Sequence, residues 1–283
     1  MIQLSPVGLG TNNFGRRLDL ERSRAVVEAA LSAGVTHLDT ADTYGGGDSE
    51  RFIGETLEVR RADAFVATKF GMGEGGNGSP EYVRRAIDAS LDRLRTDYVD
   101  LYYYHRPDGV TPIAETVGAM KELVDAGKVR HLGVSNVDAV QLRDAAAAAP
   151  VAAVQNKYSL LEREVEAEVL PLSEELGIGF VPYFPLASGL LTGKYRRGKP
   201  APAGTRLAGR EIDSEMFERI EALERFAAER GHTLLELAIA ALASRPAVAS
   251  VIAGATTPEQ VRANAAAAEW RLTPEELAAI PSI

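Results

Sequence analysis

Asp39, Tyr44, Lys69 and His105 together make a chemically complete acid set. A tyrosine titrates near about 10, too weak an acid for neutral pH, and a neighbouring ammonium favours its phenolate and lowers that value. Lys69 supplies such a charge, and Asp39 would keep the lysine protonated in a half-enclosed site. His105 can hydrogen-bond a substrate oxygen and orient a carbonyl while Tyr44 delivers the proton. The set fits carbonyl reduction and lacks only a source of hydride. A lysine on a strand can also form a Schiff base and perform aldol chemistry, but one held charged by Asp39 is the wrong nucleophile.

These residues are far apart in the chain, so a scaffold must bring them to one mouth. Apolar runs rich in β-branched and aromatic residues alternate with amphipathic stretches from end to end. Strands are predicted at 7–11, 36–41, 64–70, 98–105, 129–135, 152–157, 179–186 and 249–255, and helices at 20–33, 50–57, 80–94, 113–126, 139–149, 164–176, 234–244 and 259–269. Helix starts carry their own signals, as in Ser79-Pro80-Glu81 and Thr257-Pro258-Glu259, where a capping hydroxyl precedes proline. Eight such βα units suit a closed barrel, because an open sheet would leave two unpaired edges. The predicted class is therefore α/β, a (β/α)8 TIM barrel forming one domain over residues 1–283. An extra helix, about 214–230, and a mobile Gly/Pro/Lys/Arg-rich loop are inserted after the seventh strand, on the C-terminal face where barrels keep their chemistry. That face collects Asp39 to Tyr44, Thr68-Lys69, Tyr104-His105, Ser135-Asn136 and Gln155-Asn156.

Composition narrows the partners. The 283 residues hold 31 Lys and Arg against 40 Asp and Glu, a net charge of -9, which offers no broad field for a polyanion. Nucleic acid and anionic membrane are not expected. The absence of cysteine excludes disulfides, thiolate metal sites and a cysteine nucleophile, and no metal is expected. Met1 to Pro6 lack a basic start followed by an apolar segment, and no apolar run approaches the ~18 residues of a membrane span. A cytoplasmic protein acting on a small carbonyl or alcohol, as a monomer or weak homo-oligomer, is expected.

With those residues in view, the sequence resembles the aldo-keto reductase family. The carrying segments are Gly34 to Gly45 with Ser49, Glu50 and Gly54; Thr68-Lys69; Leu101 to His105; Gly133 to Asn136; Gln155 with Tyr158; Pro182 to Leu186; Gly189 to Lys194; and Gly254 with Gln260 and Asn264. They follow one another in order along nearly the whole chain. The resemblance implies Tyr44 as general acid/base, Lys69 and Asp39 as its tuning pair, and His105 as the carbonyl-orienting partner. It also implies a nicotinamide cofactor as hydride source. Ser135, Asn136 and Gln155 would bind its carboxamide beside Asp39, and Tyr183 would stack on its ring. Thr11, Asn12, Phe184, Pro185 and Leu186 would line the cleft, and Ser188, Gly189, Leu191, Gly193 and Lys194 would close over the pyrophosphate. Gly254, Thr256, Gln260 and Asn264 would line the adenosine end, near a helix N-terminus that favours phosphate.

The departures bear on cofactor choice. NADPH-preferring relatives commonly carry Lys or Arg just after the strand-eight glycine, yet here Ala255 to Glu259 follow Gly254 without a cation. Thr256, Thr257, Gln260, Arg262, Lys194, Arg196 or Arg197 would have to compensate. NADP(H) is the expected cofactor, with NAD(H) the rival. The leading reading is reversible reduction of an aldehyde or ketone, a sugar among the candidates. The alternatives are an NAD(H)-preferring sugar or alcohol dehydrogenase of the same fold, and a cofactor-binding regulatory subunit without significant turnover. Met72, Phe70, Trp270 and Tyr195 are candidates for walls of the substrate cleft.

Overall fold

The computed structural model describes residues 2–72, 77–210 and 212–280. Eight strands run in parallel through them: β1 (Val7–Gly10), β2 (His37–Asp39), β3 (Phe65–Phe70), β4 (Val99–Tyr104), β5 (Val129–Ser135), β6 (Val151–Gln155), β7 (Gly179–Phe180) and β8 (Val251–Gly254). They are hydrogen-bonded in the order β7-β6-β5-β4-β3-β2-β1-β8, so the sheet follows the chain and curls until its edges meet. There Phe180 bridges Val248, Tyr183 bridges Ile252, and the Ile252 amide donates to Pro182 O at 2.9 Å. The architecture is the expected TIM barrel.

Helices α1 (Leu20–Ser32), α2 (Asp48–Leu57), α3 (Pro80–Leu94), α4 (Ile113–Asp125), α5 (Ala139–Ala148), α6 (Val169–Glu175), α7 (Ser214–Ala228), α8 (Leu234–Ala243), α9 (Pro258–Ala267) and α10 (Pro274–Ala279) cover it. Caps define their starts. The Asp138 and Thr233 side chains accept from the third helical amide, while their own backbone amides donate to the Gln141 and Glu236 side chains. The barrel interior holds Ala67, Leu101, Tyr103, Ala153, Val181 and Ile252, and Ile2 and Leu4 pack beneath them. Gly133 is required there, because a Cβ would collide with the Tyr103 ring. A larger layer, including Val27, Leu38, Val66, Ile87, Met120 and Val154, joins sheet to helices. A third cluster of Leu191, Tyr195, Phe217, Leu223 and Leu237 anchors the strand-seven insertion on α7 and α8.

Three elements differ from expectation. The predicted strand 179–186 pairs regularly only over Gly179–Phe180, because Pro182 and Pro185 have no amide to donate and Phe184 turns to φ 60°. The predicted helix 164–176 splits into a 3-10 turn (Glu164–Glu166) and α6, which starts late enough to put Pro171 in its first turn. Helix α10 was not anticipated, although Thr273 and Glu276 form a capping box at its start.

Candidate active site

The acid set converges at the C-terminal end of the barrel. Lys69, at the end of β3, is fully buried and donates from Nζ to Asp39 Oδ1 at 2.6 Å and to Thr40 O at 2.8 Å. The second Asp39 oxygen accepts from Gln155 Nε2 at 2.8 Å, so this carboxylate is held from β3 and β6 at once. The Lys69 ammonium lies 5.4 Å from the Tyr44 ring centroid. Across the mouth the Tyr44 and His105 rings meet edge to face, with centroids 6.1 Å apart. Tyr44 stands on a turn whose next residue, Gly45, has φ 60°, and a Cβ there would lie 2.5 Å from Phe14 O. Only glycine lets the β1–α1 loop pack against the tyrosine turn.

Burial governs the charges. Tyr44 titrates above the ordinary phenol value, because burial outweighs the opposing Lys69 charge. The expected lowering by Lys69 is present but is not the net result, and the phenol is protonated at neutral pH. Burial also works against the Lys69 charge, yet Asp39 and Tyr44 raise its pKa overall, so it remains an ammonium. His105 is pushed down to about 3 by burial and by Lys69. It is a neutral imidazole with one N–H to give, and its buried Nδ1 has no hydrogen-bond partner.

A second polar layer braces this one. Ser49 Oγ hydrogen-bonds Thr40 Oγ1 and Thr11 Oγ1, each at 2.8 Å, tying α2 to the ends of β1 and β2. The fully buried Glu50 accepts from Thr68 Oγ1 at 2.5 Å and from Arg93 Nε at 2.6 Å. Asp42 lies beside it and is raised to about 6 by burial and by Glu50.

From the acid set a cavity of about 810 Å³ extends to the N-terminus of α9. Its lining includes Asp39, Tyr44 and His105 and every other residue expected at the cofactor except Leu191 and Gly193. Leu191 is wholly buried among the apolar residues of the insertion, and Gly193 turns the chain out of the preceding 3-10 segment with φ 73°. Lys69 lies beneath the lining, touching it through Asp39. Ser135 Oγ donates to Gln155 O at 2.7 Å, Asn136 Nδ2 donates to His105 O at 2.9 Å, and Tyr183 OH donates to Asn136 Oδ1 at 2.7 Å. At the far end Gln260 Oε1 accepts from the Thr256 amide at 2.8 Å. Asn136, Phe184, Ala187 and Ser188 all have φ between 44° and 60°, so strained backbone gathers along this cavity. Of the four proposed wall residues only Met72 lines it. Phe70 stacks on Tyr102 and Tyr104, Tyr195 is buried in the insertion, and Trp270 stacks on His232 at 3.8 Å.

Comparison with known proteins identifies the family and agrees with the fold. The model of the aldo/keto reductase family matches residues 6–283. The chain belongs to the aldo/keto reductase family. A probable aldo-keto reductase 1 of Glycine max is 35% identical over 305 residues, covering 97% of this chain and 87% of that protein. A probable voltage-gated potassium channel subunit beta of Oryza sativa subsp. japonica is 38% identical over 295 residues, covering 95% of this chain and 89% of its own length. Among solved structures, a glycerol dehydrogenase of Gluconobacter oxydans superposes with a TM-score of 0.86 at 31% identity, over 98% of this chain and 90% of that one. An aldo-keto reductase of Bacillus halodurans in its holo form gives 0.82 at 33% identity, over 99% and 94%.

Within this aldo/keto reductase three cationic residues of the cavity escaped the sequence reading, Arg106 beside His105 and two more at the far end. Arg17 and Arg206 both line the cavity. Arg206 Nη2 donates to Asn12 Oδ1 at 3.3 Å, and its guanidinium lies 5.4 Å from the Phe184 ring centroid. Burial and the charge of Arg17 lower its pKa, the mark of two like charges placed together. Residues 17 and 206 meet only because the insertion folds back over the β1–α1 loop, so no local pattern announces them. The cations expected to compensate near Gly254 are mostly engaged elsewhere. Arg196 pairs with Glu224 at 3.1 Å, Arg197 with Glu221 at 3.0 Å and Arg262 with Glu259 at 3.6 Å, leaving Lys194 to line the cavity. No described helix is long and apolar enough to cross a membrane, and among the described residues no His/Cys/Asp/Glu group is arranged to hold a metal ion.

Proposed function

We propose that this aldo/keto reductase reversibly reduces a small aldehyde or ketone with NADP(H), Tyr44 acting as general acid. The observation that carries the reading is the buried Lys69–Asp39 pair at 2.6 Å beneath Tyr44 and His105, at one end of a cavity long enough to reach the start of α9. The residues fit a nicotinamide dinucleotide. Ser135, Asn136 and Gln155 present polar atoms beside the Tyr183 ring, and Lys194, Arg17 and Arg206 bring positive charge to the same cavity. When bound, the cofactor supplies the hydride.

The chain's own residues handle the oxygen and its proton. Neutral His105 donates a hydrogen bond to the carbonyl oxygen and fixes its direction. Tyr44, protonated at neutral pH, gives its proton to that oxygen as negative charge develops, and Lys69 stabilises the phenolate left behind. Asp39 keeps Lys69 charged throughout, and Gln155 keeps Asp39 from turning away. In alcohol oxidation the same groups run in reverse, with the Tyr44 phenolate as base.

Two other readings are attached to specific observations. The missing cation after Gly254 favours discrimination against a 2′-phosphate, hence NAD(H), while Arg206 and Lys194 favour NADP(H). The relative named as a channel subunit beta favours a cofactor-binding regulatory subunit, against which the complete acid set weighs. The test is multiple turnover of a small aldehyde, followed by nicotinamide absorbance with NADPH and with NADH. Tyr44→Phe is expected to cut turnover by about three orders of magnitude, within the usual range for a positioned proton donor, while calorimetry gives nearly the same cofactor affinity. Full activity in that variant overturns the acid assignment, and binding without turnover in the unaltered chain favours the regulatory reading.

A further inference from the structure

We infer that the carbonyl substrate carries an anionic group, a carboxylate or a phosphate, held at the rim by Arg16 and Arg106. The inference rests on the reductase reading above and names the class of substrate that its site takes. Its starting point is a mismatch of charge. The chain carries a net charge of -9, yet among the described residues the cavity lining contains Arg17, Arg106, Lys194 and Arg206 against a single carboxylate, Asp39. That carboxylate is already taken by Lys69 and Gln155. The mouth of an acidic protein is therefore basic, which draws anions in and focuses them there.

The cations divide into two groups by position. Arg17 and Arg206 repel one another near Asn12 and Phe184, and Lys194 lies along the same insertion. These face the part of the cavity assigned to cofactor phosphates. Arg106 lines the cavity at the reacting groups, and Arg16, just outside that lining, follows the residue packed on the Tyr44 turn. Arg16 follows Gly15, which packs against the Tyr44 turn, and its charge is felt by the Tyr44 phenol. Arg106 follows His105, lines the cavity, and its charge is felt by both His105 and Tyr183. Among the described residues neither makes an ion pair or a side-chain hydrogen bond, so both guanidinium groups are available to a ligand. Two planar guanidinium groups near the Tyr44–His105 pair, with no counter-ion among the described residues, are suited to a carboxylate or phosphate on a substrate whose carbonyl points inward.

The test is a ratio, so that general damage cancels. With cofactor saturating, kcat/KM is measured for glyceraldehyde 3-phosphate against glyceraldehyde, and for 4-carboxybenzaldehyde against 4-formylbenzamide. The unaltered protein is expected to favour the charged member of one pair by about tenfold or more, as one or two charge-assisted contacts would give. The phosphate pair or the carboxylate pair responding identifies the anion. In the Arg16→Gln/Arg106→Gln protein the ratio should fall towards one through a higher KM for the charged compound, with its kcat largely kept. Raising KCl from about 20 mM to about 500 mM should erode the preference of the unaltered protein in the same way, without reliance on a variant. A ratio near one in both pairs, a preference that survives the double substitution, or equal losses on charged and neutral members overturns the inference and leaves the reductase reading intact. Failure to turn over any of the four compounds overturns the reductase reading, and this inference with it.

Discussion

The two ends of the cavity are built on different principles. At the acid end the buried charged groups are fixed from several elements at once: Asp39 by Lys69 and Gln155, Lys69 by Asp39 and Thr40, Glu50 of α2 by Thr68 and Arg93. At the other end the groups sit on the insertion after β7, where Arg206 makes one 3.3 Å hydrogen bond and Lys194 is exposed. On the proposed reading, proton chemistry is built into the barrel, while part of the cofactor grip is added by a loop that can vary without disturbing it.

The largest effect should come from breaking the buried pair. Lys69→Met leaves Asp39 buried with only Gln155, and losing one partner of a buried pair typically costs ~3–5 kcal/mol. Urea unfolding should register that loss, and carbonyl reduction should fall to background. Adding Asp39→Asn removes the stranded charge, so most of the stability should return while activity stays absent. Recovery of both together would mean that the pair serves the fold alone.

Next in size is an acid-sensitive term that belongs to the barrel. His37 is fully buried on β2, bonded through Nδ1 to Ser250 Oγ at 3.0 Å, and burial pushes its pKa down to about 4. Between pH 6.5 and 4 the unfolded chain therefore binds a proton that the folded chain does not. Stability from this group is complete above pH 6.5 and is lost as the pH falls. His105 acts in the same direction, and Asp42, raised to about 6, acts in the opposite one. Going from pH 6.5 to 4.5, His37 alone should remove about 2 kcal/mol at ~1.4 kcal/mol per pKa unit. The His37→Gln protein should show a correspondingly flatter profile in denaturant melts across that range, and an unchanged slope would remove His37 from the account.

How much of each end was legible in the sequence follows the same division. Strand β5 and helix α3 fall on their predicted bounds, because Ser79 and Pro80 start the helix by local chemistry and Leu132–Ser135 is a buried run that ends the strand at the barrel mouth. The acid set was legible because its members sit at or just beyond the ends of recognisable strands. The far end was not. Strand β7 was read as eight residues because 179–186 is apolar and aromatic, yet its prolines and the positive φ of Phe184 and Ala187 turn it into cavity wall. Leu191 reads as a loop residue near phosphate but is drawn into an apolar cluster with Phe217 and Leu237. The meeting of Arg17 and Arg206 depends on tertiary folding, to which spacing is blind.

The loop end can be probed directly. Arg206→Gln is expected to weaken NADPH binding about tenfold, or ~1.4 kcal/mol, as loss of one charge-assisted phosphate contact would. NADH, which lacks the 2′-phosphate, should weaken by less than about threefold if that phosphate is the contact. Calorimetric titration with both cofactors reads the difference. Equal losses would place Arg206 on the pyrophosphate common to both.

The smallest effect is the one that most sharpens the contrast within the loop. Arg196 and Arg197 look in sequence like the cations nearest to a phosphate, but their guanidinium groups lie against Glu224 and Glu221 of α7. Both pairs are largely exposed, where water and salt screen the attraction and ordering two long side chains offsets it. The Arg196→Ala/Arg197→Ala protein should therefore bind NADPH within about twofold of the unaltered chain, because neither side chain lines the cavity. Its melting temperature should not shift measurably. A loss of affinity as large as that of Arg206→Gln would mean that these arginines leave α7 when cofactor arrives, and that the loop end is assembled by the ligand rather than by the fold.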